Sequence, residues 1–187
     1  MHTLRIAGLL LSLTAALWSA PVLTLDPADG AISGTQGSVI GWGFSLTPDP
    51  TFWTVITAVQ MDVSAIGTFE DYLSVWFSVN SLALAPGGPA FVQSFVAGTP
   101  GTATGVAAVT LNTNAPLGLL AGVMDISYDL YDADPFLGGN LQQTGQSFTP
   151  SFGITVNQDA GQPAPEPATL GLALAAIAAM LVVNRRR

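Results

Sequence analysis

The chain has 187 residues, with 12 acidic side chains against 4 basic ones, a single His, no Cys and a formal charge of −8. The bases and the His all stand close to the two ends (His2, Arg5, Arg185, Arg186 and Arg187), so Pro21 to Pro163 holds every acid but Glu166 and no Lys, Arg, His or Cys. That interior excludes imidazole-driven Ser or Cys nucleophiles, Schiff-base lysines, thiolate or imidazole zinc sites and disulfides. Its negative field disfavours phosphate and nucleic acid.

In chain order, residues 1–20 read as a secretory signal. Arg5 lies in a short leading region and Ile6 to Leu17 form the apolar run. The cleavage point falls between residues 20 and 24. A cut after Ala20 would place Trp18 and Pro21 at unfavourable positions, and a cut after Thr24 is the alternative.

The middle, 21–157, is rich in Gly, Thr, Ser and Val. It alternates over short runs between Gly, Pro, Asn and Asp breaks, the pattern of antiparallel β-structure. Asp26-Pro27-Ala28-Asp29-Gly30 and Thr35-Gln36-Gly37 predict turns. From Val39 to Leu46, Ile40, Trp42, Phe44 and Leu46 share one strand face. Gly41 and Gly43 stand on the other, a sign of close backbone approach. Trp53 to Val63 alternates with Trp53, Val55, Val59, Met61 and Val63 on the apolar side, and Ile66 to Asp71 reads as a connection.

Leu73 to Val79 reads as a strand with Leu73, Val75, Phe77 and Val79 inward and Ser74, Trp76 and Ser78 outward. After the Pro86-Gly87-Gly88-Pro89 break come short strands at Phe91 to Val96 and Val106 to Leu111. Gly122 to Tyr131 places Met124, Ile126, Tyr128 and Leu130 on one face and Asp125, Ser127 and Asp129 on the other. Asp132 to Asn140 reads as an acidic, Gly-rich loop, and Phe148 to Val156 as the last strand. The expectation is an all-β, antiparallel β-sandwich of roughly eight strands, immunoglobulin-like or jelly-roll-like. The run Gly37 to Leu46 before Thr47-Pro48-Asp49-Pro50 resembles an early strand of immunoglobulin-like or fibronectin-like modules.

Residues 158–164 read as a linker, followed by 165–187. There, Pro165-Glu166-Pro167 precedes an apolar run from Ala168 to Val183 and the basic end Arg185, Arg186 and Arg187. The run is uncharged and lacks a polar face, as expected of a buried helix. It would span roughly 24 Å at about 1.5 Å per residue, short of a hydrocarbon core of about 30 Å but close enough to be accommodated. The arginines would hold the end on the cytoplasmic side. An ordinary C-terminal anchor is the plainer alternative, but such an anchor has no need of Pro-Glu-Pro at its edge.

In this order, motif, helix and basic cluster resemble the PEP-CTERM sorting tail of Gram-negative bacteria. The resemblance covers only the C-terminal tail. It implies an exported precursor that enters the inner membrane through the Sec translocon. An exosortase would process it there and release it to the envelope or to an exopolysaccharide-containing biofilm matrix.

For chemistry inside the domain, Asp125, Asp129, Asp132 and Asp134 are calcium-ligand candidates, because hard cations take several oxygen ligands. Their spacing matches neither an EF-hand nor a nonapeptide repeat. The plainer reading is solvated strand acids and Asx turns. Trp76 on a polar face is a candidate sugar contact, whereas Trp42 and Trp53 read as core. Glu70 and Asp71 are a carboxylate pair, but neighbours on a strand point to opposite faces, which argues against a glycosidase. The reading is a non-enzymatic exported protein with no catalytic residues and no required cofactor. A carbohydrate- or calcium-binding module is the alternative.

Overall fold

A computed structural model describes residues 20–159. The signal segment, the Pro-Glu-Pro motif, the apolar run and the terminal arginines lie outside the described residues.

The fold is all-β and β-sandwich-like, with one short helix. Strands β1 (Val22–Asp26), β2 (Ala31–Thr35), β3 (Val39–Thr47), β4 (Trp53–Gln60) and β5 (Gly67–Asp71) precede helix α1 (Leu73–Val79). Strands β6 (Phe91–Gln93), β7 (Ala107–Leu111), β8 (Gly118–Val123), β9 (Asp125–Tyr131), β10 (Leu141–Phe148) and β11 (Ser151–Asn157) follow, with a 3-10 turn, η1 (Pro135–Leu137), between β9 and β10. One sheet runs β1-β3-β7-β5 with β6 added along β3; the other two are β10-β9-β4 and β2-β11-β8.

The turns at 26–30 and 35–37 stand where the sequence puts them. Gly30 N–H donates to Pro27 O and Ser38 N–H to Thr35 O, at 2.9 and 3.0 Å. In β3, Trp42, Phe44 and Leu46 are buried and Ile40 is half-buried, as the alternation requires. The intervening glycines admit neighbours: a Cβ on Gly41 would collide with Ala107 O and the Phe95 ring, and one on Gly43 would lie 2.8 Å from Gln93 O.

Met124 is a crossing point. β8 pairs with β11 and β9 pairs with β10, so the single stretch expected from Gly122 to Tyr131 is two strands in two sheets. The stretch Phe148 to Val156 divides in the same way at Thr149 and Pro150. Met124 N–H donates to Pro150 O at 3.0 Å and ties the two crossings together. The four strands thus form one bent two-stranded ribbon. The loop carrying η1 is its tip, and Gly118 and the end of β11 are its base.

Four further expectations are corrected. The pairing is not antiparallel throughout, because β11 runs parallel to β2. Ile66 to Asp71 is not a connection; most of it is β5, paired with β7 along its whole length. In β4 a register shift between Ile56 and Ala58 changes the alternation. Thr54, Ile56 and Val59 are therefore the buried side chains, and Trp53 is half-buried rather than core. Finally, Leu73 to Val79 is helical.

The helix is explained by its start. Asp71 Oδ1 accepts Ser74 N–H at 2.9 Å and its Oδ2 accepts the Ser74 hydroxyl, a cap supplied from the end of β5. Leu73 and Phe77, one turn apart, are the fully buried pair, and Val79, expected inward, is 60% exposed. One hydrophobic core joins the sheets and α1. Its largest member, Trp42, is fully buried, meets Phe152 edge-on at 5.7 Å between ring centroids and donates Nε1–H to Gly30 O at 2.8 Å.

Candidate functional site

Several of the acids are used locally as acceptors for backbone N–H groups. Asp29 accepts Ala31, Asp49 accepts Thr51 and Phe52, Asp62 accepts Ser64 and Asp134 accepts Phe136, all two or three residues ahead. With no Lys or Arg between Pro21 and Pro163, these carboxylates are held by N–H dipoles instead of cations.

The calcium candidates are distributed the same way. Asp125 is exposed opposite Gln60. Asp129 accepts Gly145 N–H at 3.2 Å. Asp132 accepts Asn140 N–H at 2.7 Å, the Asn140 amide at 3.1 Å and the Gln142 amide at 3.2 Å, closing the loop onto β10. Asp134 caps η1, where Gly138 stands at φ 100°. Among the described residues no group of three or more His, Cys, Asp or Glu side chains could hold a metal ion.

The Asn140 backbone and side-chain donors hold the Asp132 carboxyl below the usual carboxylate range. A depressed pKa stabilises the folded loop above the unfolded value of about 3.9. That contribution is lost as pH falls through the lower folded value. Acidification below about pH 4 is therefore expected to free the Asn140 amide before the β-core responds, which amide hydrogen exchange across a pH series would measure. An Asp132→Ala variant, which removes the acceptor, should exchange fast at Asn140 at every pH.

Glu70 is exposed on β5, while Asp71, half-buried on the other face, accepts Val59 N–H at 2.9 Å besides capping α1. Tyr72 is buried, lies parallel to the Phe95 ring at 6.3 Å and donates its hydroxyl to Gly98 O at 2.7 Å. Trp76 is half-buried on α1 against the core. Tyr128 stacks on Phe148 at 4.5 Å; burial pushes its phenol pKa up, and the Asp49 carboxylate adds to the rise.

What the structure does assemble is an open groove of about 320 Å³ at the tip end of the ribbon. β4 contributes Val55 and Thr57 to its wall, α1 contributes Ser74, Phe77 and Ser78, and the end of β9 contributes Tyr131. Pro135 and Phe136 of η1 close one side, with Phe136 48% exposed. Aromatic surface beside hydroxyl groups, without a charged side chain in the lining, suits an uncharged ligand with apolar faces and hydroxyl edges. The sequence missed this groove because one wall is the helix read as a strand and another is a 3-10 turn in a loop.

No family model matches the chain, and no curated protein matches it. Among solved structures it is similar to the CooA pilin subunit from enterotoxigenic Escherichia coli. The identity is 10%, over 75% of this chain and 99% of that chain, with a TM-score of 0.25. Among the described residues no helix is long and apolar enough to cross a membrane, and Ala168 to Val183 lies outside them.

Proposed function

We propose that this chain is an exported, non-catalytic protein of the cell envelope or extracellular matrix. Residues 1–20 direct it through the Sec translocon. The 165–187 tail, with a spanning helix over 168–183, holds the precursor in the inner membrane until an exosortase processes it. The domain is read as an immunoglobulin-like or jelly-roll-like sandwich, with residues 158–164 as the linker. The observation that carries the proposal is the ordered tail: Pro165-Glu166-Pro167, then an uncharged apolar run, then Arg185, Arg186 and Arg187. The interior supports it, since it lacks the nitrogen and sulfur side chains that most catalysis uses. Deleting Pro165 to Pro167 in a host with an active exosortase is expected to leave the full-mass precursor in the inner membrane. Unchanged mass and unchanged release would overturn the reading.

The groove favours a second reading, in which the domain holds a neutral polysaccharide of the matrix against Tyr131 and Phe136. Trp76, the earlier sugar candidate, is replaced in that role by these two residues. Calorimetry on the purified chain is expected to show binding that Phe136→Ala weakens about tenfold, a loss of about 1.4 kcal/mol. No heat with polysaccharide removes this reading. A calcium titration in the same series tests the calcium alternative through Asp132, and heat abolished by Asp132→Asn would establish it.

A further inference from the structure

Among the described residues the outer edge of β8 is unpaired. The strand bonds to β11 on one side, in unbroken register from Ser151–Val123 to Val156–Gly118, and no described strand lies on the other. Exposed edges are usually blunted by charge, proline or a bulge. The other edges are blunted, short or covered. β10 has two register shifts, β5 ends in Glu70-Asp71, β1 ends in Asp26, β2 packs against β3, β4 packs against α1, and β6 has only 3 residues. β8 reads Gly-Leu-Leu-Ala-Gly-Val and has no such device. Leu119 is 71% exposed and Val123 56%, on the same face as the exposed Ala121.

We propose that β8 pairs antiparallel with β8 of a second copy of this chain. The two β2-β11-β8 sheets then join into one continuous sheet across a two-fold axis. The charge pattern favours a second copy at this edge. Every copy is acidic, and between Asp71 and Asp125 the sequence has no Asp, Glu, Lys, Arg or His. β8 lies in that uncharged stretch, so two copies can approach there without bringing carboxylates together.

The register follows from the pleat. Residues on one face must meet residues on the same face. Axes through Leu120 and through Ala121 overlap equally, and only the second sets the exposed Leu119 and Val123 against each other. Ala121 then faces its own copy and Leu119 faces Val123. On the inner face Leu120 faces Gly122, where the Phe152 ring fills the place of a side chain, 2.8 Å from where a Cβ would stand. The strand is complementary to itself, as a two-fold interface requires.

The test uses the full chain, purified in mild detergent. Sedimentation is expected to show a concentration-dependent dimer. Ala121→Glu, which sets two like charges directly opposite, should raise the dimer dissociation constant about tenfold or more. Because the chain has no Cys, Ala121→Cys should give a disulfide-linked dimer under mild oxidation, and Thr155→Cys, exposed on β11 of the same sheet, should not. The cysteine pair decides the matter even if the Glu variant folds poorly. A monomer at all concentrations, equal cross-linking at both cysteines, or protection of the Leu119 to Val123 amides only on adding polysaccharide would overturn the proposal.

Discussion

Trp42→Ala is expected to bring the domain to the edge of unfolding. The side chain is fully buried in the core that the sheets share. Truncating a buried Trp costs about 3–5 kcal/mol in lost transfer energy and cavity. The indole N–H bond to Gly30 O at 2.8 Å goes with it, worth roughly 1 kcal/mol, and that carbonyl keeps only the Gly153 N–H at 3.1 Å. Against a typical total of about 5–15 kcal/mol, that is a large fraction. Trp42→Phe keeps most of the packing against Phe152 and loses the N–H donor, so it should fall between wild type and Ala. Denaturant midpoints of the three proteins provide the measurement, and an Ala variant within 1 kcal/mol of wild type would show that the core does not depend on this residue.

Asp71→Ala is expected to cost about 2–3 kcal/mol. Its carboxylate takes Val59 N–H beyond the β4 register shift and both the N–H and hydroxyl of Ser74 at the start of α1. Removing it therefore loosens a strand and a helix together. Hydrogen exchange should rise first in α1 and at Val59. Asp71→Asn keeps an acceptor oxygen and should recover about half the loss. The pair also distinguishes a structural carboxylate from a catalytic one. A catalytic Asp71 would lose a hydrolase activity in the Asn variant with its melting unchanged, whereas the structural role moves melting.

Legibility in the sequence followed the strength of local patterning. Trp42, Phe44 and Leu46 on β3 and Ile126, Tyr128 and Leu130 on β9 alternate cleanly, and all are buried. Phe152, Ile154 and Val156 of β11 do the same. Where the period failed, tertiary context decided. Leu73 to Val79 fits a strand by alternation, yet Leu73 and Phe77 also fit a single helical turn. The capping Asp71 two residues before Leu73 selects the helix. β10 is Gln-rich and largely exposed, so it carries no apolar signal. The crossing at Met124 is invisible because the alternation runs through it without interruption. Sheet exchange is a long-range event, and only pairing partners reveal it. The groove inherits both failures, since α1 and the ribbon tip form its walls.

The last described strand leaves the domain from the middle of a sheet. β11 has β2 on one side and β8 on the other, so tension passed along it from residues beyond Asn157 acts across two ladders, with bonds perpendicular to the pull on the antiparallel β8 side and slanted on the parallel β2 side. Those bonds would be sheared together, whereas an edge strand peels one bond at a time. Force microscopy pulling from the C-terminal side should meet its first resistance at β11, while the groove at the far end of the ribbon stays intact until that clamp yields.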